Sequence, residues 1–172
     1  MTIKSSMSQT LVILFLVLFE TAILSNIQLL PTVPDLLLIA VLYFSVYNGS
    51  LAGEVTGFVS GVALDFLSAA PFGLNSLIRT ILGYTAGKFH RVLNVGGFFV
   101  RALLGFSATL FKAILIWFVH FFYPQGSILV YNLFSVPFLA ELAMNTLLTP
   151  ILFAFLSIFS AFLTVKPENR AS

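Results

Sequence analysis

Apolar stretches of roughly membrane-span length, broken by brief Gly, Pro, Asn and Ser punctuation, run through most of the chain. They decide which solvent it can fold in. A helix needs about 20 apolar residues to cross a hydrocarbon layer about 30 Å thick, and a shorter run must thin the bilayer or end below the headgroups. Charged residues make up 8% of the 172 positions and apolar ones 59%, with a mean hydropathy of +1.07. Soluble domains carry about 25% charge, because a folded surface must be covered with groups that water solvates. This chain lacks those groups, so the expected fold class is an all-α polytopic membrane protein.

The runs predict six spans in a single integral membrane domain covering 1–172, at approximately 9–30, 34–47, 51–68, 73–87, 98–122 and 136–163. The first could pass for a signal peptide after Lys4, but the apolar run continues through Glu20 to Leu30 with no small-x-small cleavage site, so it reads as a retained span. "PTVPD" is a tight turn, since two nearby prolines cannot continue a helix. The second span is short, about 21 Å, and must thin the bilayer locally or end below the headgroups. "NGS" at Asn48–Ser50 and "AAPFG" at 69–73 are the next turns, and Lys88, His90, Arg91 and Asn94 mark the most polar internal loop. "SVP" at Ser135–Pro137 reads as a fresh helix start, with Ser135 at the N-cap and proline in the first turn. That leaves 127–134, aromatic at Tyr131 and Phe134, as an interfacial piece, and Pro150 should kink the last span.

Orientation follows the basic residues. Lys4, Lys88, Arg91, Lys166 and Arg170 fall on one side, and the opposite loops, 31–34, 69–72 and 124–134, hold no Lys or Arg. Five against none places both termini in the cytoplasm. There is no internal repeat, and no extramembrane segment is large enough to fold alone. With no cysteine, thiolate metal sites and thiol catalysis are excluded, and a net charge of +2 without a basic stripe gives no reason to expect nucleic acid. His90 and His120 lie nearly a membrane thickness apart and cannot share a metal. No nucleophile elbow or P-loop is present, so no catalytic, metal or cofactor residues are assigned.

Charges inside spans cost about 2.5 to 3.5 kcal/mol at the bilayer centre, so each should face a partner. Depth along the helices pairs Glu20 with Lys112 near mid-membrane. It groups Asp65, Arg79 and Glu141 in the extracytoplasmic half, with Asp65 and Arg79 as neighbours, and sets Glu54 beside Arg101 near the cytoplasmic face. A spread over three levels favours structural ion pairs over a single ion path or ligand site. Gly49, Gly53, Gly57, Gly61 and Asp65 follow at four-residue spacing, and Gly83 and Gly87 repeat it. Such spacing leaves a groove in which another backbone can approach closely.

The ordered set Pro34, Asp35, then "GFxxGxxxD" at Gly57, Phe58, Gly61 and Asp65, then Gly73 and the "GY" of Gly83 and Tyr84 resembles the MreD family of rod-shape-determining membrane proteins. About a third of the chain carries the resemblance tightly. It implies a non-catalytic scaffold of the elongasome, which builds side-wall peptidoglycan, in the inner membrane of a rod-shaped bacterium. It also implies MreC as direct partner, acting with MreB, RodA and the transpeptidase that partners RodA. The family is similar in fold to the six-helix substrate-binding subunits of ECF vitamin transporters. The alternative is therefore a ligand-binding transporter subunit, with Asp65, Asn75, Arg79, Glu141 and Asn145 lining its cavity. On the scaffold reading, the part of the glycine groove not used within the bundle is expected to receive the transmembrane helix of MreC.

Overall fold

The computed structural model describes residues 3–22, 32–68, 70–90, 92–123 and 133–164, with side chains from Met7 onward. These form seven helices: α1 (Ile3–Ala22), α2 (Leu36–Asn48), α3 (Ser50–Leu67), α4 (Leu74–Lys88), α5 (Phe98–Phe122), α6 (Val136–Ile158) and α7 (Ser160–Leu163). Expectations that rest on the end of the first span, Pro31, Arg91, most of 127–134, the tail with Lys166 and Arg170, and the side chain of Lys4 lie outside the described residues.

The centre of the bundle is α2. Its sequence, LLLIAVLYFSVYN, has no polar face, and an all-round apolar helix is one that other elements surround. Every residue from Leu37 to Val46 is buried, and α1, α3, α4, α5 and α6 all pack on it. Its 13 residues need no match to bilayer thickness, because protein and not lipid encloses them. This corrects the expected mismatch of the second span.

Around it the neighbours pair antiparallel. The α2–α3 turn needs only Gly49, at φ 89°, a conformation that L side chains rarely adopt. The closest pair is α3 with α4. A methyl group on Gly53 would collide with the Gly83 carbonyl, and one on Gly57 with the Arg79 carbonyl. Gly61 lies against the Ser76 backbone, and Gly87 against Ser50. At Gly105 of α5, Thr149 and the Asn145 carbonyl of α6 occupy the space a side chain would need.

The start of α6 is as expected: Ser135 caps it, accepting from the Phe138 amide, with proline in the first turn. Its end is not. The helix runs unbroken through the buried Pro150 and ends at Ile158, and the interruption falls at Phe159, before α7. Packed neighbours let a membrane helix pass a proline. The carbonyl of Leu163 then accepts from Gln9 Nε2 (2.9 Å) and Asn48 Nδ2 (3.0 Å). That contact joins α7 to the start of α1 and the end of α2.

Three helices, Ser50–Leu67, Phe98–Phe122 and Val136–Ile158, are long and apolar enough to cross a membrane, and Met7–Ala22 and Leu36–Asn48 are shorter apolar helices. Exposed aromatics gather at both ends of α5, Phe98 and Phe99 at one and Trp117, Phe121, Phe122 and Tyr123 at the other. Aromatic side chains concentrate at such levels where membrane meets water.

Candidate functional site: a buried charge network

Asp35 begins as a helix cap. It stands just before the apolar run of α2, where a carboxylate satisfies an amide that has no intrahelical partner, and its Oδ1 accepts from the Leu38 N–H at 2.8 Å. Because α2 is central, the cap is buried, at 4% exposure. A buried carboxylate needs compensating charge, and two cations supply it. Arg79 of α4 donates from Nη2 to Asp35 Oδ1 at 2.7 Å, and Lys112 of α5 donates from Nζ to Asp35 Oδ2 at 2.8 Å. Lys112 also binds Glu141 Oε1 of α6 at 2.7 Å.

Neutral groups extend the network. The Asp35 amide donates to Asn145 Oδ1 (2.9 Å), Asn145 Nδ2 donates to Thr109 Oγ1 (3.1 Å), and Thr109 returns its hydroxyl to the Gly105 carbonyl (2.9 Å). Glu20 of α1 accepts from the Leu37 amide at 3.1 Å, taking a second free donor in the first turn of α2. Five helices thus meet at one cluster near the start of α2. Two guanidinium nitrogens of Arg79, Nε and Nη1, have no acceptor among the described residues.

This arrangement corrects the expected pairings. Glu20, Arg79, Lys112 and Glu141 are collected at one place rather than spread over levels, and Asp35 collects them. Lys112 joins Asp35 and Glu141 rather than Glu20. Its backbone lies near the middle of α5 and level with Glu141, because Thr109, one turn earlier, already shares Asn145 with the amide of Asp35 at the start of α2. Asp65 does not pair with Arg79. It accepts from the Gly73, Asn75 and Ser76 amides at 3.0 to 3.1 Å, and also from the Asn75 and Ser76 side chains. It is thus the anion at the N-terminus of α4. The antiparallel register explains the difference: the Arg79 backbone lies opposite Gly57, two helical turns from Asp65, and its side chain runs inward to α2. Arg101 donates from Nε to the Val95 carbonyl at 2.7 Å and makes no ion pair with Glu54 among the described residues.

The glycine groove is also reassigned. Gly53, Gly57 and Gly61 face α4 in succession, and Gly83 and Gly87 face α3, so the part of the groove expected to remain for a partner helix is also filled by the chain's own α4. The residues expected to line a transporter-type cavity divide between two structural jobs. Asp65 and Asn75 hold the α3–α4 turn, while Arg79, Glu141 and Asn145 belong to the network. Among the described residues no three His, Asp or Glu side chains converge as a metal site.

Sequence reasoning missed Asp35, Asn145 and Thr109 as network members. The signal for Asp35 was present, an acid immediately before an apolar run, but the segment was read only as a turn.

Fold and network define a class: an all-helical membrane protein in which, among the described residues, Asp35, Arg79, Lys112 and Glu141 pair with one another inside the bundle and Asp65 holds a turn. The chain belongs to the MreD family, since the family model described as rod shape-determining protein MreD matches residues 2–159. Comparison with curated proteins and with solved structures gave no match. This is therefore a rod shape-determining membrane protein, of a family not known for enzymatic activity.

Proposed function

We propose that the chain is a non-catalytic scaffold of the cell-elongation complex, crossing the bacterial inner membrane six times with both termini in the cytoplasm. It binds MreC and so helps to control side-wall peptidoglycan synthesis alongside MreB, RodA and the transpeptidase that partners RodA. Family membership carries the general assignment. The observation that carries the scaffold reading is where the polar groups go. Asp35, Arg79, Lys112 and Glu141 bind one another, and Asp65 binds a turn, so the chain offers its surroundings chiefly apolar helix faces.

With the glycine groove occupied by α4, the outer faces of α1 and α5 become the surfaces for MreC. On α1, the exposed Met7, Leu11, Leu14, Phe15 and Leu18 recur at three- and four-residue steps, the spacing that presents one stripe to a neighbouring helix. On α5, Leu103, Phe106, Ile114 and Trp117 are exposed. In lipid, helices associate through packing of such faces. The test is affinity purification of the chain from native membranes. Recovery of MreC and wall synthases is expected, whereas recovery of an ATPase coupling module would replace this reading with a transporter subunit.

A further inference from the structure

Between α4 and α5 lies an open cavity of about 390 Å³, lined by apolar and small side chains that include Leu82, Ala86, Phe89, Leu104, Ser107 and Ala108. Toward the 89–97 turn it shares Leu93 with a second hollow of about 370 Å³, bounded by Tyr47, His90, Asn94, Val95 and Gly96. The two differ in chemistry: the first is greasy, and the second has polar walls.

Among the described residues, charge at the polar end is one-sided. Arg101 lies one turn before Leu104 on the same stripe of α5, and its Nε is fixed to the Val95 carbonyl at 2.7 Å. The ring of His90 is held to the Val46 carbonyl through Nδ1 at 2.6 Å. From residue 66 to residue 140 the sequence contains no Asp or Glu, and Glu54 stands on α3, which lines neither hollow. A ligand matched to both hollows has an apolar tail and an anionic head.

We propose that this paired cavity is a binding site for an anionic phospholipid. An acyl chain lies in the groove between α4 and α5, and the phosphate sits in the polar hollow within reach of Arg101 and His90. The assignment rests on the orientation proposed above, with the 89–97 turn in the cytoplasm. Basic pockets between transmembrane helices on that side suit acidic headgroups.

The test uses the full chain, purified in detergent, stripped of lipid and titrated with phosphatidylglycerol or phosphatidylcholine of identical acyl chains. Adducts are counted by native mass spectrometry. Phosphatidylglycerol should bind roughly fivefold more tightly, the effect of about one basic contact near a headgroup. Arg101→Gln should bring the two lipids to near parity, and Arg101→Lys should keep most of the preference. Ser107→Phe, at an exposed position in the groove wall, should weaken both lipids. Should Arg101→Gln fail to accumulate, raising salt on the unaltered protein must erase the preference instead. Equal binding of the two lipids, or a preference that survives both the substitution and high salt, would overturn the assignment. Because only the isolated chain and lipid are used, failure here is distinguishable from failure of the MreC reading.

Discussion

Lys112 is where the network is most exposed to a single change. Two unit charges about 4 Å apart attract by about 4 kcal/mol at an effective dielectric near 20, and the Lys112 ammonium has two carboxylates in contact, Asp35 and Glu141. That gross attraction of about 8 kcal/mol is offset by several kcal/mol of desolvation per buried ion. The pairs themselves therefore stabilise little relative to an apolar core, but their rupture is costly. Lys112→Met leaves Glu141, 3% exposed, buried without its cation, and the expected loss is about 3 to 5 kcal/mol. Adding Glu141→Gln removes the orphaned charge and leaves Asp35 with Arg79, so the double variant should regain about 2 kcal/mol or more of that loss. Reversible unfolding in mixed micelles, run on the wild type, both single variants and the double, measures the coupling directly. Additivity within about 0.5 kcal/mol would mean that Lys112 and Glu141 do not compensate each other, and the network account would fall.

Gly57→Leu would drive a side chain into the Arg79 carbonyl, so the variant should disappear from the membrane; accumulation at the wild-type level, seen by blotting, would show that α3 and α4 are not so close. An Asp35/Arg79 double-mutant cycle should return a coupling of about 1 to 3 kcal/mol, and an Asp65/Arg79 cycle should return about zero; the reverse order would restore the Asp65–Arg79 pair. Reporters fused after Ser172 and inserted between residues 92 and 96 should both read cytoplasmic, while one at Gln125 should read extracytoplasmic. Opposite readings for the first two would end the six-span proposal.

How far these features could be read in the sequence depends on the range of the interaction. Helix existence is local. Apolar runs and turn residues placed α2 to α6 within two residues at nearly every boundary, and Ser135 with Pro137 marked the start of α6. The interruption at Phe159 carries no such signal. The site is not local. Depth can be counted along a helix, so Arg79 and Glu141 were placed at one level, but depth says nothing about the direction in which a side chain leaves its helix. Asp65 and Arg79 matched in depth and differ in direction. Asp35 was passed over as part of a turn because nothing in "PTVPD" tells that α2 is central. The all-round apolar character of α2 was the clue, and it bears on the cap as much as on the helix. The glycines were legible as a close-packing face, but which backbone fills it is a tertiary fact.

The central claim is that the network organises the bundle and that function resides in the outer helix faces. Its most direct test is to neutralise all five charges together: Glu20→Gln, Asp35→Asn, Arg79→Met, Lys112→Met and Glu141→Gln. Buried ion pairs replaced as a set by well-packed hydrophobic side chains of similar volume are often close to neutral in stability. Met supplies these in place of Arg79 and Lys112, the amides keep the shape of the carboxylates, and asparagine still caps α2. Cells relying on this variant, provided that it accumulates, are predicted to remain rods and to yield MreC on purification. Round cells in which the variant is folded, abundant and still bound to MreC would contradict the claim, because the charges themselves would then be doing the work.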